Sequence, residues 1–152
     1  MVRSMSASKK KPQTRATAGT SKASEIAPGV YVGGWSDAEQ FQGTRICVLD
    51  EAPDDRIPGD TLVPIYNEKQ DRPIRENLDR VAKMVETART AKQPVLLFCG
   101  HGIRRGSLAG AWYLHAHDGI SLDAAYARVR AVRPKIQHVK EWVGDWKGLV
   151  GS

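Results

Sequence analysis

The sequence predicts an α/β domain, a sheet with helices packed on its faces. Short β-branched runs bounded by glycine, proline and aspartate lie mostly early in the chain, and segments with apolar side chains at helical spacing lie mostly late. Val95–Phe98 is apolar throughout, as strands buried on both faces of an α/β core are. With 152 residues, 41% of them hydrophobic, the chain is one domain's worth. Its apolar runs are far too short to span a membrane. Two cysteines 52 positions apart are too few for a disulfide framework and point to a reducing compartment, hence a cytoplasmic protein.

The elements follow in order. Pro28-Gly29 marks a turn, and Val30-Tyr31-Val32 before Gly33-Gly34 reads as a strand. Ser36 is placed to cap a brief helical turn through Phe41. Residues 45–49 are β-branched and apolar, a buried strand in which Cys47 is a core residue. The Pro- and Asp-rich stretch 51–60 is a loop, and 61–66 reads as a strand with Pro64 at its edge or end. Ile74, Leu78, Val81, Val85 and Ala88 are spaced by 4, 3, 4 and 3, one face of a helix that Gln93-Pro94 ends. Beyond Val95–Phe98 and a glycine-rich loop, residues 107–117 predict a helix stopped at Gly119. Ser121 caps the next, which buries Leu122, Ala125, Tyr126 and Val129 and ends near Arg133-Pro134. Val139, Trp142, Val143, Trp146, Leu149 and Val150 predict a last amphipathic helix, weakened by Gly144 and Gly148.

The formal net charge of +6 is uneven. Residues 1–25 hold Arg3, Lys9, Lys10, Lys11, Arg15 and Lys22 against Glu25, a balance of +5, which leaves +1 for the rest. That segment is Ser/Thr/Ala/Lys-rich and cannot bury enough to offset the entropy of ordering. It reads as a disordered basic tail, with residues 26–152 as the folded domain. A basic tail supports weak contacts with nucleic acid at most, because no aromatic-basic interleaving marks the folded part.

The chemistry lies in Cys99-Gly100-His101-Gly102-Ile103-Arg104-Arg105-Gly106-Ser107. A buried strand runs into a cysteine, a loop with three glycines follows, and an arginine stands at a helix start. Glycines let successive N–H groups converge into an anion-binding nest. The helix N-terminus favours negative charge at the same spot. Arg105 can hold two phosphate oxygens through its planar fork. A cysteine in such a field is shifted toward thiolate, a nucleophile for phosphoryl transfer.

Cys99-x2-Gly102-x2-Arg105 matches the signature C-x2-G-x2-R, and from about Pro28 to Gln137 the chain resembles the dual-specificity, protein-tyrosine-phosphatase-type cysteine phosphatases. The resemblance includes Gly29-Val30-Tyr31-Val32-Gly33-Gly34, Val63-Pro64-Ile65, Ala111-Trp112-Tyr113-Leu114 and Arg130-Ala131-Val132-Arg133-Pro134. It implies a cysteine-phosphatase-like sheet of about four or five strands flanked by helices. It also implies a two-step hydrolysis without metal or cofactor. Cys99 would attack phosphorus to give a cysteinyl-phosphate, while Arg105 and the amides of Gly100, His101, Gly102, Ile103 and Arg104 would bind the phosphate. The implied substrate is a phosphorylated protein or another phosphomonoester.

Three positions depart from the family pattern. Phe98 stands where the family has histidine. Gly106 stands where a Ser or Thr hydroxyl assists the departing sulfur, with Ser107, the candidate substitute, one residue later. Asn67 stands where the family has its acidic aspartate, leaving Asp71 and Glu68 as candidates for the general acid. His101, Arg104 and Arg105 together would suit a highly charged substrate such as a phosphoinositide. His115 and His117 face different sides of a helix and His138 lies alone in a loop, so no metal site is expected. Two other readings stand beside the enzyme: a phosphate-binding module that has lost turnover, and a rhodanese-like sulfurtransferase using the shorter loop from Cys99 to Arg104.

Overall fold

The computed structural model describes residues 22–50, 61–144 and 146–150. Among the described residues seven strands are formed: β1 (Ser24–Ala27), β2 (Val30–Gly33), β3 (Thr44–Cys47), β4 (Thr61–Leu62), β5 (Tyr66–Asn67), β6 (Arg72–Pro73) and β7 (Val95–Phe98). Four α-helices accompany them: α1 (Trp35–Gln40), α2 (Arg75–Thr90), α3 (Arg105–Asp118) and α4 (Leu122–Val132). Five strands form one sheet in the order β1-β2-β7-β3-β4, and β5-β6 form a separate hairpin. Only β1-β2 is antiparallel within the large sheet.

The central place of β7 explains its composition. It pairs in parallel with β2 on one side and β3 on the other, and all four of its residues are fully buried. Alternation then assigns the faces. Val95, Leu97 and Cys99 join the larger core with residues of α2, α3 and α4. Leu96 and Phe98 join Cys47 and Ala38 in a smaller one beneath α1. Phe98, which replaces the family's histidine, is therefore a core residue of the α1 face, edge-on to Trp35 at 5.5 Å. Cys47 is buried in the same cluster, on the sheet face opposite Cys99.

Helix α2 buries Leu78, Val81, Val85 and Ala88 of the expected stripe, while Ile74, its fifth member, is the half-buried N-cap residue. Helix α3 is buried continuously from Gly106 to Leu114 because the sheet, α2 and α4 all pack on it. It ends, as expected, on a left-handed Gly119. Ser121 Oγ accepts from the Ala124 N–H at 3.0 Å, the expected cap of α4.

Five expectations are corrected. The sheet begins at Ser24, two residues before the expected domain boundary, because an antiparallel edge strand needs only main-chain pairing and tolerates polar side chains. The rest of the expected tail, 1–21, lies outside the described residues, as does the loop 51–60. Helix α1 is capped by Gly34, whose N–H donates to Asp37 Oδ2 at 2.8 Å, and Ser36 lies inside it. The 61–66 strand is split into β4 and β5, since Pro64 between them has no N–H to donate. The last helix does not form. Two 3₁₀ turns, Val139–Glu141 and Lys147–Val150, replace it around Gly144, yet Val139, Val143 and Leu149 are still buried. His138, expected alone in a loop, is buried there, stacked on Tyr126 at 4.0 Å with Nε2 2.7 Å from Asp123 Oδ1.

Candidate active site

Strand β7 delivers Cys99 to the carboxyl edge of the sheet, where open α/β sheets carry their sites. Its Sγ accepts the Gly102 N–H at 3.1 Å and the Gly106 N–H at 3.3 Å. One donor comes from the loop and the other from the first turn of α3. Gly102 has φ +70°, and a Cβ there would stand 2.8 Å from both the Gly33 carbonyl and Arg133 Nη2. No other residue fits. Gly34 allows a close approach of the same kind, since its Cβ would stand 2.7 Å from the Gly100 oxygen.

The reason the N–H groups face the sulfur lies behind the loop. A planar trans peptide points its C=O and N–H in opposite directions. Holding a carbonyl on the far side therefore aims the next N–H forward. The Gly100 carbonyl accepts the Trp35 N–H at 3.0 Å. The His101 carbonyl accepts Arg133 Nη2 at 2.8 Å, and the Gly102 carbonyl accepts Arg133 Nε at 3.0 Å. The Ile103 carbonyl accepts the Gln137 N–H at 3.0 Å. Four consecutive carbonyls are thus pinned behind the loop, which by peptide planarity turns the N–H groups of residues 101–104 away from that side.

Arg133 does this from within the protein. It is 7% exposed, and its Nη1 also donates to the Lys22 carbonyl at 2.6 Å and to Ser24 Oγ at 3.1 Å. Burial pulls its pKa below the usual arginine range, against the opposing influence of Asp37 and Cys99. Arg133→Met keeps the volume and removes every donor. It is expected to destabilise the domain by on the order of 3 kcal/mol, because each buried carbonyl left unpaired costs about 1–3 kcal/mol. A lowered urea midpoint at unchanged slope measures it; an unshifted midpoint refutes the bracing role.

In front of the loop a cleft of about 400 Å³ is lined by Leu49, Cys99, Gly100, His101, Ile103, Arg104, Arg105 and Gln137. Cys99 is 5% exposed at its lining. The Arg105 guanidinium donates through Nε and Nη2 to the two oxygens of Asp50, both at 3.1 Å, and lies 5.2 Å over the Tyr66 ring. Arg104 donates to Gln137 Oε1 at 2.8 Å and lies 6.0 Å from the Trp142 ring. His101 is exposed at the rim.

The remaining candidates lie elsewhere. Ser107 is fully buried, and its hydroxyl, expected beside the departing sulfur, donates instead to the carbonyls of Ile103 (2.6 Å) and Arg104 (3.0 Å). Asn67 Oδ1 accepts the Gln70 N–H at 3.1 Å, closing the turn after β5. Glu68 is exposed, and neither it nor Asp71 lines the cleft. Asp71 accepts the Tyr66 hydroxyl at 2.5 Å and the Gly144 N–H at 3.1 Å. Those two donors hold its carboxyl below the usual range, while the bond to Asp71 and burial push Tyr66 up to about 12. In this arrangement Asp71 is a carboxylate clamp between the β5-β6 hairpin and the C-terminal turn.

Sequence reasoning missed Asp50, Tyr66, Arg133 and Gln137 as parts of the site. Arg133 carried one usable signal, its place in the Arg130-Ala131-Val132-Arg133-Pro134 segment of the resemblance. Asp50 carried another, since it follows a strand predicted to be buried and so leaves the sheet at the edge where Cys99 emerges.

Comparison with known proteins places the fold and the family. The human protein dual specificity phosphatase 28 is 28% identical over 118 residues, covering 72% of this chain and 66% of the human one. The mouse protein of that name is 27% identical over 130 residues, covering 76% of this chain and 79% of its own length. A mouse dual specificity phosphatase solved in complex with zinc tungstate superposes with a TM-score of 0.67 at 20% identity, over 86% of this chain and 91% of that one. A human dual specificity phosphatase 28 variant gives 0.64 at 22% identity, over 76% and 85%. These two share the fold. The family model for the dual specificity phosphatase catalytic domain matches residues 38–145, more than two thirds of the chain, from α1 through the C-terminal turn. On that match, the chain belongs to the dual-specificity phosphatases, a family of cysteine-dependent phosphatases.

Proposed function

We propose that the chain hydrolyses phosphoric monoesters of phosphorylated proteins in a reducing, cytoplasmic setting, with Cys99 as the nucleophile. The observation that carries the reading is the pair of N–H groups on Cys99 Sγ, backed by four pinned carbonyls and flanked by Arg105 in one cleft. The loop amides and Arg105 hold the non-bridging oxygens, the sulfur attacks phosphorus, and the ester P–O bond breaks. Water then attacks the cysteinyl-phosphate, releasing inorganic phosphate and restoring the sulfur. Asn67 has no acidic proton to give, and Asp71 is engaged as a carboxylate. Aryl esters, whose leaving oxygen needs little protonation, are therefore favoured over alkyl esters, and phosphotyrosine over phosphoserine or phosphothreonine.

One observation favours a second reading, a phosphate-binding module: at Gly106 no hydroxyl is available to the departing sulfur, and Ser107 is engaged elsewhere. Rapid mixing with labelled nitrophenyl phosphate followed by acid quench separates the two. The expected result is a burst of about one equivalent of nitrophenol with the label on Cys99, then slow turnover. Tungstate binding without a burst supports the module, thiocyanate from thiosulfate and cyanide supports the sulfurtransferase, and the absence of all three rejects every reading of the loop as an anion site.

A further inference from the structure

We infer that Asp50 competes with the substrate for Arg105: its carboxylate fills the guanidinium fork while the cleft holds no oxyanion, and an incoming phosphate displaces it. The topology brings the two together. Strands β3 and β7 are adjacent and parallel with Cys47 opposite Phe98, so Asp50 and Cys99 leave the sheet at the same edge although 49 residues separate them in the chain. Asp50 then meets Arg105 across 55 residues in a two-point pair, Nε to Oδ1 and Nη2 to Oδ2.

Three features make the pair exchangeable. A carboxylate offers the fork two oxygens on one side, as a phosphate does, so it occupies the place a phosphate would take. Both distances are 3.1 Å, longer than the 2.7–2.9 Å usual for charge-assisted pairs, so the grip is loose. The two side chains are 22% and 26% exposed, so water is at hand to solvate the released carboxylate. A phosphomonoester dianion carries twice the charge of the carboxylate and also gains the loop amides, so it outcompetes Asp50 for the fork. Weaker anions, whose gain does not exceed the displacement cost, are kept out of the cradle. The cost falls equally on bound substrate and transition state, so it enters KM and not kcat.

This inference rests on the anion-binding reading of the cleft, and its test is built to fail separately from the phosphatase reading. Asp50→Asn keeps the shape and removes the charge; Asp50→Ser removes the carboxylate outright. Both are expected to lower the inhibition constant of tungstate and the KM of nitrophenyl phosphate about two- to fivefold with kcat unchanged, the size usual for a partly exposed ion pair. In an Arg105→Lys background the effect should vanish. A readout independent of turnover is alkylation of Cys99. The rate with anionic iodoacetate relative to neutral iodoacetamide should rise by a similar factor in the Asp50 variants. Weaker tungstate binding together with lower kcat would mean that Asp50 holds Arg105 in its working position, and the displacement inference falls. Unchanged tungstate affinity and an unchanged alkylation ratio overturn it too. If the wild type turns over nothing, the tungstate and alkylation measurements still decide.

Discussion

Arg105→Lys is expected to lower kcat/KM for nitrophenyl phosphate by about 10²–10³, the loss typical for one donor removed from a developing oxyanion, while Cys99→Ser abolishes turnover and keeps affinity for tungstate. The two variants fail for different reasons. Lysine preserves the charge at the first residue of α3 but presents a single point where the guanidinium presents two parallel N–H groups. It cannot follow two equatorial oxygens as the phosphoryl group flattens between sulfur and leaving group, so the loss falls on kcat as well as KM. Serine at position 99 leaves the amides of Gly102 and Gly106 and the braces from Arg133 in place. The cradle therefore still binds an oxyanion, with no sulfur to attack it. Steady-state rates beside tungstate titrations check both. Equal rates in wild type and both variants would end the cysteine mechanism, and loss of tungstate binding in Cys99→Ser would mean that the sulfur itself organises the loop.

What was legible in the sequence was local. Strand β7, the glycine loop and Arg105 are contiguous, and each residue's type states its job. The stripe of α2, the Ser121 cap and the Gly119 stop are equally local. What was illegible acts across distance. Arg133 braces Gly102 over 31 residues, and Asp50 meets Arg105 over 55. Neither leaves a periodicity to read. The apolar stripe after residue 138 was mistaken as a helix, yet 3₁₀ turns still bring Val139, Val143 and Leu149 of it into the core. The surroundings of the candidate acid were hidden for a similar reason. Asp71 has the right chemistry and loop position, but a tyrosine five residues back and a backbone N–H 73 residues on claim both its oxygens.

Gly106→Ser is expected to speed breakdown of the cysteinyl-phosphate about ten- to hundredfold, corresponding to one hydrogen bond to a charged group of about 1.5–3 kcal/mol. The space for it exists. A Cβ at Gly106 would lie 3.4 Å from Cys99 Sγ and 3.5 Å from both the Leu97 oxygen and Val32 Cγ1, all ordinary contacts. The position is helical, where serine is no worse than glycine. A hydroxyl one bond beyond that Cβ comes within reach of the sulfur, which Ser107, bonded to Ile103 and Arg104, does not offer. The added donor stabilises the sulfur as it takes back the bonding electrons in the second step, so the burst should shrink as the steady-state rate rises. Gly106→Ala supplies the Cβ without the hydroxyl and should leave the steady state as it was. An equal gain in the alanine variant would assign the effect to packing, and no gain in either would place the slow step outside hydrolysis of the intermediate.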